Sequence, residues 1–252
     1  MKYLFPFLAV VIGYGIGYLM KTENKRNIKL LLAFSGAFLL SLTVMHLLPE
    51  IYEFANTNTA LIPHDHSHAD HDHHHDHEHG HDHAAFKLIG LYIMLGIVFQ
   101  MILEFFSKGA EHGHVHGHES MRHIPWSLFI SLCLHALFEG MPVAMHQDMA
   151  WGIAIHHLPI AVILTLFLRS AKLNAVQIAF FMLVFAGMTP LGTFIADQAS
   201  WVQDYYTEIT AIVVGILFHI ASTIIFEASE NHKFNLAKVS AIVLGILLAY
   251  FL

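Results

Sequence analysis

The stretch TEITAIVVGILFHIASTIIFEA, residues Thr207–Ala228, decides the fold class. Its length matches the roughly 20 mostly apolar residues that a helix needs to cross the hydrocarbon of a bilayer. Glu208 and Glu227 lie near its two ends, and His219 is the one ionisable residue well inside it. The stretch therefore predicts a membrane-spanning helix.

Comparable apolar stretches recur along the chain, with polar breaks between them. Including the first, the predicted spans are Tyr3–Met20, Leu30–Tyr52, Ala85–Ser107, Ile124–His146, Trp151–Leu168, Ala175–Ala196, Thr207–Ala228 and Lys238–Leu252. Apolar residues make up 56% of the 252 residues and charged residues 12%, which leaves too few polar groups to cover a water-soluble domain. We expect an all-α, polytopic membrane bundle of eight transmembrane helices, forming a single domain over residues 1–252.

The positive charges predict how this bundle is oriented. Lys and Arg collect in cytoplasmic loops, and here ten of the twelve follow the odd-numbered spans. These ten are Lys21, Lys25, Arg26, Lys29, Lys108, Arg122, Arg169, Lys172, Lys233 and Lys238. Both termini are therefore expected outside the cytoplasm, with Lys2 and Lys87 at outer span edges, where a long side chain reaches the lipid headgroups.

Charge and cysteine content exclude two classes of protein. The formal net charge is −7 and no basic patch is present, so nucleic-acid binding is excluded. The single cysteine, Cys133, lies in an apolar stretch, which rules out both an intrachain disulfide and a cysteine-rich zinc module.

Two histidine-rich segments separate the early spans. Residues 64–83 alternate His with Asp and Glu and have almost no apolar side chains, so we expect an extracytoplasmic, disordered loop that gathers cations. Residues 108–123 form a second such loop, on the cytoplasmic side by the same topology. Imidazole suits Zn²⁺, Ni²⁺ and Cu²⁺, and the interleaved carboxylates raise the local cation concentration.

Ionisable side chains inside the spans mark the candidate site, because such groups are costly in hydrocarbon unless they face the bundle interior. His135 and Glu139 are spaced i, i+4 in the fourth span, so they lie on one helix face. The fifth span contributes His156 and His157, which diverge by about 100° around the helix. We expect one of these two histidines to complete a divalent-metal site with His135 and Glu139, and the other to face elsewhere.

Prolines follow these candidate ligands in both spans. Pro142 and Pro159 lack an N–H, so they should release the carbonyls of Phe138 and Ile155 one turn earlier. Interrupted helices near the midplane expose ligands and permit movement in transporters.

Further polar residues are candidates for accessory metal contacts. His46 and Glu50 approach the outer end of the second span and are candidates for an accessory uptake site. His219 is a candidate metal or proton contact. Glu104 and Glu227 lie toward the cytoplasmic ends of their spans, where they are either groups that help the ion leave or ordinary interfacial residues. His146 is expected to be exposed at the outer face.

These residues resemble the ZIP family, the zinc- and iron-regulated transporter-like proteins. His46-Leu47-Leu48-Pro49-Glu50 is similar to the family's second-helix signature, and the segments 135–140 and 156–159 are similar to its metal-binding motifs in the fourth and fifth helices. Thr189-Pro190-Leu191-Gly192 resembles its sixth helix. The resemblance implies transport of Zn²⁺, and in some cases Fe²⁺ or other divalent ions, toward the cytoplasm, with His135, Glu139 and His156 as ligands.

The chain departs from the family pattern at three positions. Ala136 replaces an asparagine, His157 replaces an acidic residue, and Ile160 replaces a second ligand of the fifth helix. A second, adjacent metal position therefore loses donors, and we expect a single-ion site.

The sequence thus predicts a divalent-metal transporter of the cell membrane, plasma or inner, and not an enzyme. Zinc is the favoured ion, with Fe²⁺, Mn²⁺ and Cd²⁺ as further substrates, no resident cofactor, and a homodimer left open. One alternative is a membrane metalloenzyme, since three ligands and an open position also describe catalytic zinc, although no His-Glu-x-x-His motif is present. Another is an exporter like the cation diffusion facilitators, which would be expected to have about six spans and a soluble domain.

Overall fold

A computed structural model describes residues 1–20, 25–59, 80–107, 126–145, 149–228 and 236–252 of the chain. Throughout these ranges the backbone forms helices joined by short turns, and they contain no strand. The predicted all-α class is confirmed for this part of the chain.

The helices are numbered in chain order. They are α1 (Leu4–Leu19), α2 (Lys25–Leu42), α3 (Leu48–Thr59), α4 (Gly80–Ser107), α5 (Trp126–Glu139), α6 (Met149–Ser170), α7 (Ala175–Gln198), α8 (Ser200–Asp204), α9 (Tyr206–Ala228) and α10 (Leu236–Tyr250). A π-helical segment, Thr43–Leu47, connects α2 to α3, and a 3₁₀ turn, Pro142–Ala144, follows α5.

Within the described ranges, five helical stretches are long and apolar enough to cross a membrane. They are Asn27–Phe54, Phe86–Phe106, Met149–Ser170, Ala175–Gln198 and Tyr206–Phe226. Three shorter apolar helices overlap the remaining predicted spans, at Leu4–Leu19, Phe129–Ala144 and Leu236–Tyr250. The count of eight spans and the side of the membrane on which the termini lie remain predictions.

Two boundaries differ from those predicted. Helix α4 begins at Gly80, so the last residues of the predicted loop 64–83 have helical backbone. The rest of that loop and the predicted loop 108–123 lie outside the described residues. The short helix α8 lies between the sixth and seventh predicted spans, where no helix was predicted.

Two large hydrophobic cores hold most of the buried apolar side chains of the described residues. Helices α1, α5, α6 and α7 enclose the first core, which is centred on Val10, Leu168 and Phe185. Helices α2, α3, α4 and α9 enclose most of the second core, which includes Leu39 and Ile216. Helix α10 packs along α2, and the N-terminal part of α6 contributes to the second core.

Polar contacts connect the ends of helices α1, α6 and α7, which surround the first core. At one end the Arg169 guanidinium donates to the carbonyl oxygens of Gly17, Tyr18 and Met20, at 3.0, 3.1 and 2.7 Å, which satisfies carbonyls that the end of α1 leaves open. At this end Asn174 begins α7 with a reciprocal capping box to Gln177. Arg169 thereby ties the end of α6 to the end of α1.

At the other end, Lys2 has a different partner from the one predicted. Its ammonium lies 2.7 Å from Asp197 Oδ1 and donates to the Ala144 carbonyl at 3.2 Å, because the start of α1 lies beside the end of α7. The Tyr3 hydroxyl donates to the same aspartate. Lys2 therefore joins helix ends within the protein, whereas the sequence predicted that it would reach the headgroups.

Candidate metal centre

The chain leaves the α-helix immediately after a candidate ligand. Helix α5 ends at Glu139, because Gly140 has low helix propensity and Pro142 cannot donate a backbone hydrogen bond. The Phe138 carbonyl was predicted to be released, but it accepts a hydrogen bond from Met141 N–H at 3.1 Å. That prediction is wrong, because the chain tightens into a 3₁₀ turn whose i, i+3 bonds use the carbonyl.

Three predicted ligands, two on α5 and one on α6, come together. His135 and Glu139 lie one turn apart on α5, and His156 approaches from α6, with ligand atoms all within 4.8 Å of one another. His135 Nε2 lies 3.3 Å from Glu139 Oε2. All three side chains are 2% exposed or less. Such a group of two imidazoles and one carboxylate has the donor chemistry of a zinc site.

Most of the polar side-chain atoms of this cluster lack hydrogen bonds. Both ring nitrogens of His135, both carboxylate oxygens of Glu139 and Nε2 of His156 are buried without a hydrogen-bond partner. Buried polar groups are normally satisfied, and leaving one unsatisfied costs about 1–3 kcal/mol. Five such atoms lie on three neighbouring side chains, and a bound cation would satisfy them.

His156 is held by a residue that the sequence analysis did not single out. Its Nδ1 lies 3.2 Å from the hydroxyl oxygen of Ser35, a buried residue of α2. This contact occupies one ring nitrogen and leaves Nε2 facing the cluster. Ser35 adjoins Gly36 in an otherwise apolar stretch, and nothing in its local sequence indicates which helix it contacts.

His157 makes different contacts from its neighbour. Its Nδ1–H donates to the Ile153 carbonyl at 2.9 Å, and its Nε2 lies 3.1 Å from the Thr189 hydroxyl oxygen on α7. Its Nε2 is also 3.7 Å from Glu139 Oε2. His157 is thus adjacent to the three-residue cluster without belonging to it. Thr189 was quoted in the sequence only as part of a motif.

Helices α5 and α7 approach each other most closely at two glycines beside the cluster. A Cβ atom placed on Gly192 would lie 1.9 Å from the Leu137 carbonyl oxygen, and one on Gly140 would lie 2.2 Å from the Thr189 carbonyl oxygen. The Thr193 hydroxyl donates to the Gly140 carbonyl at 2.8 Å across the same contact. The position of Glu139 therefore depends on two backbones that touch without side chains between them.

The accessory candidates His46 and Glu50 lie apart from the cluster, beside a polar cavity. His46 lies in the π-helical segment and its Nε2–H donates to the Ala249 carbonyl at 2.8 Å, while Glu50 accepts from the Tyr206 hydroxyl at 2.9 Å. The cavity measures about 270 Å³, and its lining includes Leu42, Met45, His46, Glu50, Glu53 and Met149. We call it the polar cavity. Glu53 was not predicted, although it continues the same helix face.

A layer of apolar side chains separates the polar cavity from Glu139. A second, much smaller cavity of about 10 Å³ adjoins Glu139 and Pro142. Its apolar lining consists of Leu42, Leu47, Met149, Ile153, Val213 and Leu217. Leu42 and Met149 line both cavities, so their side chains lie between the two.

The remaining candidates lie elsewhere. His219 Nε2–H donates to Glu104 Oε2 at 2.7 Å between α9 and α4, and the pair is 18% and 25% exposed. This pair is separate from the three-residue cluster. The side chain of Glu227 and the whole of His146 lie outside what the structure describes.

Comparison with known protein families supports a role for this cluster in metal binding. A family profile described as "ZIP Zinc transporter" matches residues 107–252, which is more than half of the chain and includes the whole three-residue cluster. No curated protein matches the chain. The apolar helices, the buried histidine and glutamate cluster and this match lead to one conclusion, that the chain belongs to the ZIP family of multi-pass membrane metal transporters.

Proposed function

We propose that this protein carries zinc across the membrane into the cytoplasm through a single site formed by His135, Glu139 and His156. The observation that supports this most strongly is the group of five buried, unsatisfied nitrogen and oxygen atoms on those three side chains. Membership of a transporter family favours transport over the two alternatives, a metalloenzyme and an exporter of another family.

The donor set supports zinc as the favoured substrate. Imidazole nitrogen suits Zn²⁺ better than it suits Mg²⁺, Ca²⁺ or Mn²⁺, and one carboxylate offsets part of the ion's charge. Three protein ligands leave the fourth coordination position of Zn²⁺ to an exchangeable water. A transported ion needs such a position, because it must gain and lose ligands as it enters and leaves the site. Fe²⁺, Mn²⁺ and Cd²⁺ are proposed as competing substrates, and no resident cofactor is proposed.

A single-ion site is proposed because the neighbouring positions lack free donors. Ala136 is fully buried and apolar, and Ile160 packs against the first hydrophobic core. His157 has protein partners at both ring nitrogens. A second ion beside the first would have to share the donors of the cluster.

The two cavities support a route with separate stages. In this proposal eight spans place both termini and the polar cavity on the outer side, where His46, Glu50 and Glu53 collect ions delivered by the histidine-rich segment 64–83. Leu42 and Met149 then separate the polar cavity from Glu139. Movement at this layer admits the ion, which leaves toward segment 108–123. The proposed location is the plasma or inner membrane, and a homodimer remains a prediction.

The experiment is metal accumulation by vesicles that contain the purified protein. Zn²⁺ should accumulate above the level in protein-free vesicles, and Cd²⁺ and Fe²⁺ should compete more strongly than Mn²⁺. An enzyme would bind metal without accumulating it inside, and an exporter would deplete the compartment. Either result would overturn the proposal.

A further inference from the structure

We infer that His157 is a positioning residue that fixes Glu139 for the metal, and that it is not a metal ligand. The inference rests on the proposed transport function, since it assigns a role at the same site. It assigns His157 and Thr189 a joint role in metal binding, which they exert through the position of the Glu139 carboxylate.

The tautomer of His157 follows from its partners. A carbonyl oxygen can only accept, so the 2.9 Å contact with Ile153 requires the proton on Nδ1. In the neutral ring Nε2 then carries the lone pair, and the Thr189 hydroxyl 3.1 Å away donates to it. The lone pair that a metal would need is therefore already accepting a hydrogen bond from the protein.

The other two histidines show the opposite pattern. His135 has no hydrogen-bond partner at either ring nitrogen, and His156 has none at Nε2. All three rings are equally buried, so burial does not explain the difference. Protein partners at both nitrogens distinguish His157 from the two rings that offer free donors.

The location of His157 shows what it positions. Its Nε2 is 3.7 Å from Glu139 Oε2, the same oxygen that faces His135 Nε2 at 3.3 Å. The ring is confined by His156 on one side and Phe185 on another, with ring centroids 5.7 and 5.8 Å away. In this tautomer Nε2 and Oε2 are both acceptors, so no hydrogen bond joins them and the restraint is one of contact. A ring held at both nitrogens and packed between His156 and Phe185 limits where this carboxylate oxygen can move.

The two possible roles predict opposite effects of removing the Thr189 hydroxyl. If His157 is a positioning residue, Thr189→Val releases its Nε2, the ring can shift against Glu139, the carboxylate is held less firmly in place and metal is bound less tightly. If His157 is a ligand, Thr189→Val removes a competitor for its lone pair, and metal is bound as tightly as before or more tightly. The substitution is nearly isosteric, so it changes the hydrogen bond with little change in volume.

The test measures the initial rate of Zn²⁺ uptake into vesicles against Zn²⁺ concentration, for the full-length chain. We expect Thr189→Val to raise KM by about tenfold, the lower end of the range for partners of metal ligands, with little change in maximal rate per molecule. Thr189→Ser keeps the hydroxyl and should restore the KM of the unmodified protein. A merely structural role would lower the maximal rate or the amount of folded protein and leave KM unchanged.

An unchanged or lower KM in Thr189→Val would overturn the inference. Should that variant be poorly produced, Thr189→Ala makes the same comparison with the same expected direction. The histidine-rich segments are common to all variants, so their zinc binding affects every curve alike. Failure of the unmodified protein to accumulate zinc would instead contradict the proposed function, which keeps the two failures distinguishable.

Discussion

His135 Nε2 lies 3.3 Å from Glu139 Oε2, and neither atom has a hydrogen-bond partner. Two ligands bound to one zinc ion at about 2.1 Å in tetrahedral geometry are about 3.4 Å apart. The first pair of donors is therefore already at the spacing that zinc requires. His156, within 4.8 Å of both, needs only a small side-chain movement to join them.

The first prediction concerns the position of bound zinc. Crystals grown with Zn²⁺ should show an anomalous scattering peak at about 2.0–2.2 Å from one atom each of His135, Glu139 and His156. No protein atom of His157 should lie within bonding distance of that peak. A peak shared by His157, or a second peak beside the first, would contradict the single-ion site.

The second prediction tests the close approach of α5 and α7. Gly192→Ala should destabilise the protein by about 1–3 kcal/mol, because its Cβ would overlap the Leu137 carbonyl and push α5 away. Zinc uptake by this variant should also fall, because α5 carries His135 and Glu139 and would be displaced. Thermal unfolding and uptake of the purified variant measure both effects.

Gly187 provides a matched control on the same helix. A Cβ there meets no atom within 4 Å, and alanine favours helix over glycine. Gly187→Ala should leave both stability and uptake intact. Equal losses in the two variants would show that the close approach at Gly192 is unimportant.

These contacts show what could be predicted from the sequence and what could not. The pairing of His135 with Glu139 follows from their i, i+4 spacing, because helix geometry alone places them on one face. The participation of His156 required the further expectation that the fourth and fifth spans bring these side chains together, which they do although the backbones of α5 and α6 make little direct contact. The apolar stretches were also predictable, since their composition suffices to identify them.

Contacts between distant helices were not predictable. Ser35 and Thr189 lie 121 and 32 residues from the histidines they contact, and their local sequences resemble any apolar helix. The π-helical segment at His46 and the helix end at Glu139 depend on tertiary packing, which overrides local propensity. The partner of Lys2 likewise required knowing that α1 and α7 end side by side.

The third prediction concerns the apolar layer between the two cavities. In a chain whose only cysteine is removed by Cys133→Ala, Val213→Cys places a thiol beside the small cavity next to Glu139. Leu42→Ala should make this thiol react severalfold faster with a water-soluble reagent applied from the side of the polar cavity. An unchanged rate would show that Leu42 does not separate the cavities.

The fourth prediction concerns His219 and Glu104, which form a pair away from the cluster. His219→Leu should destabilise the protein, because the glutamate loses a partner 2.7 Å away in an apolar setting. Adding Glu104→Leu should recover most of that stability. The KM for zinc should stay unchanged in the double variant, and a marked rise would instead make His219 a metal contact.

The central claim is that zinc crosses the membrane through the cluster on α5 and α6, and the most direct measurement is zinc uptake by vesicles that contain the variant His135→Ala/Glu139→Ala. The control is Ile130→Ala, which alters an exposed residue of the same helix. The account predicts that the double variant accumulates no more zinc than protein-free vesicles, while the control transports like the unmodified protein. Sustained uptake by a folded double variant would contradict it.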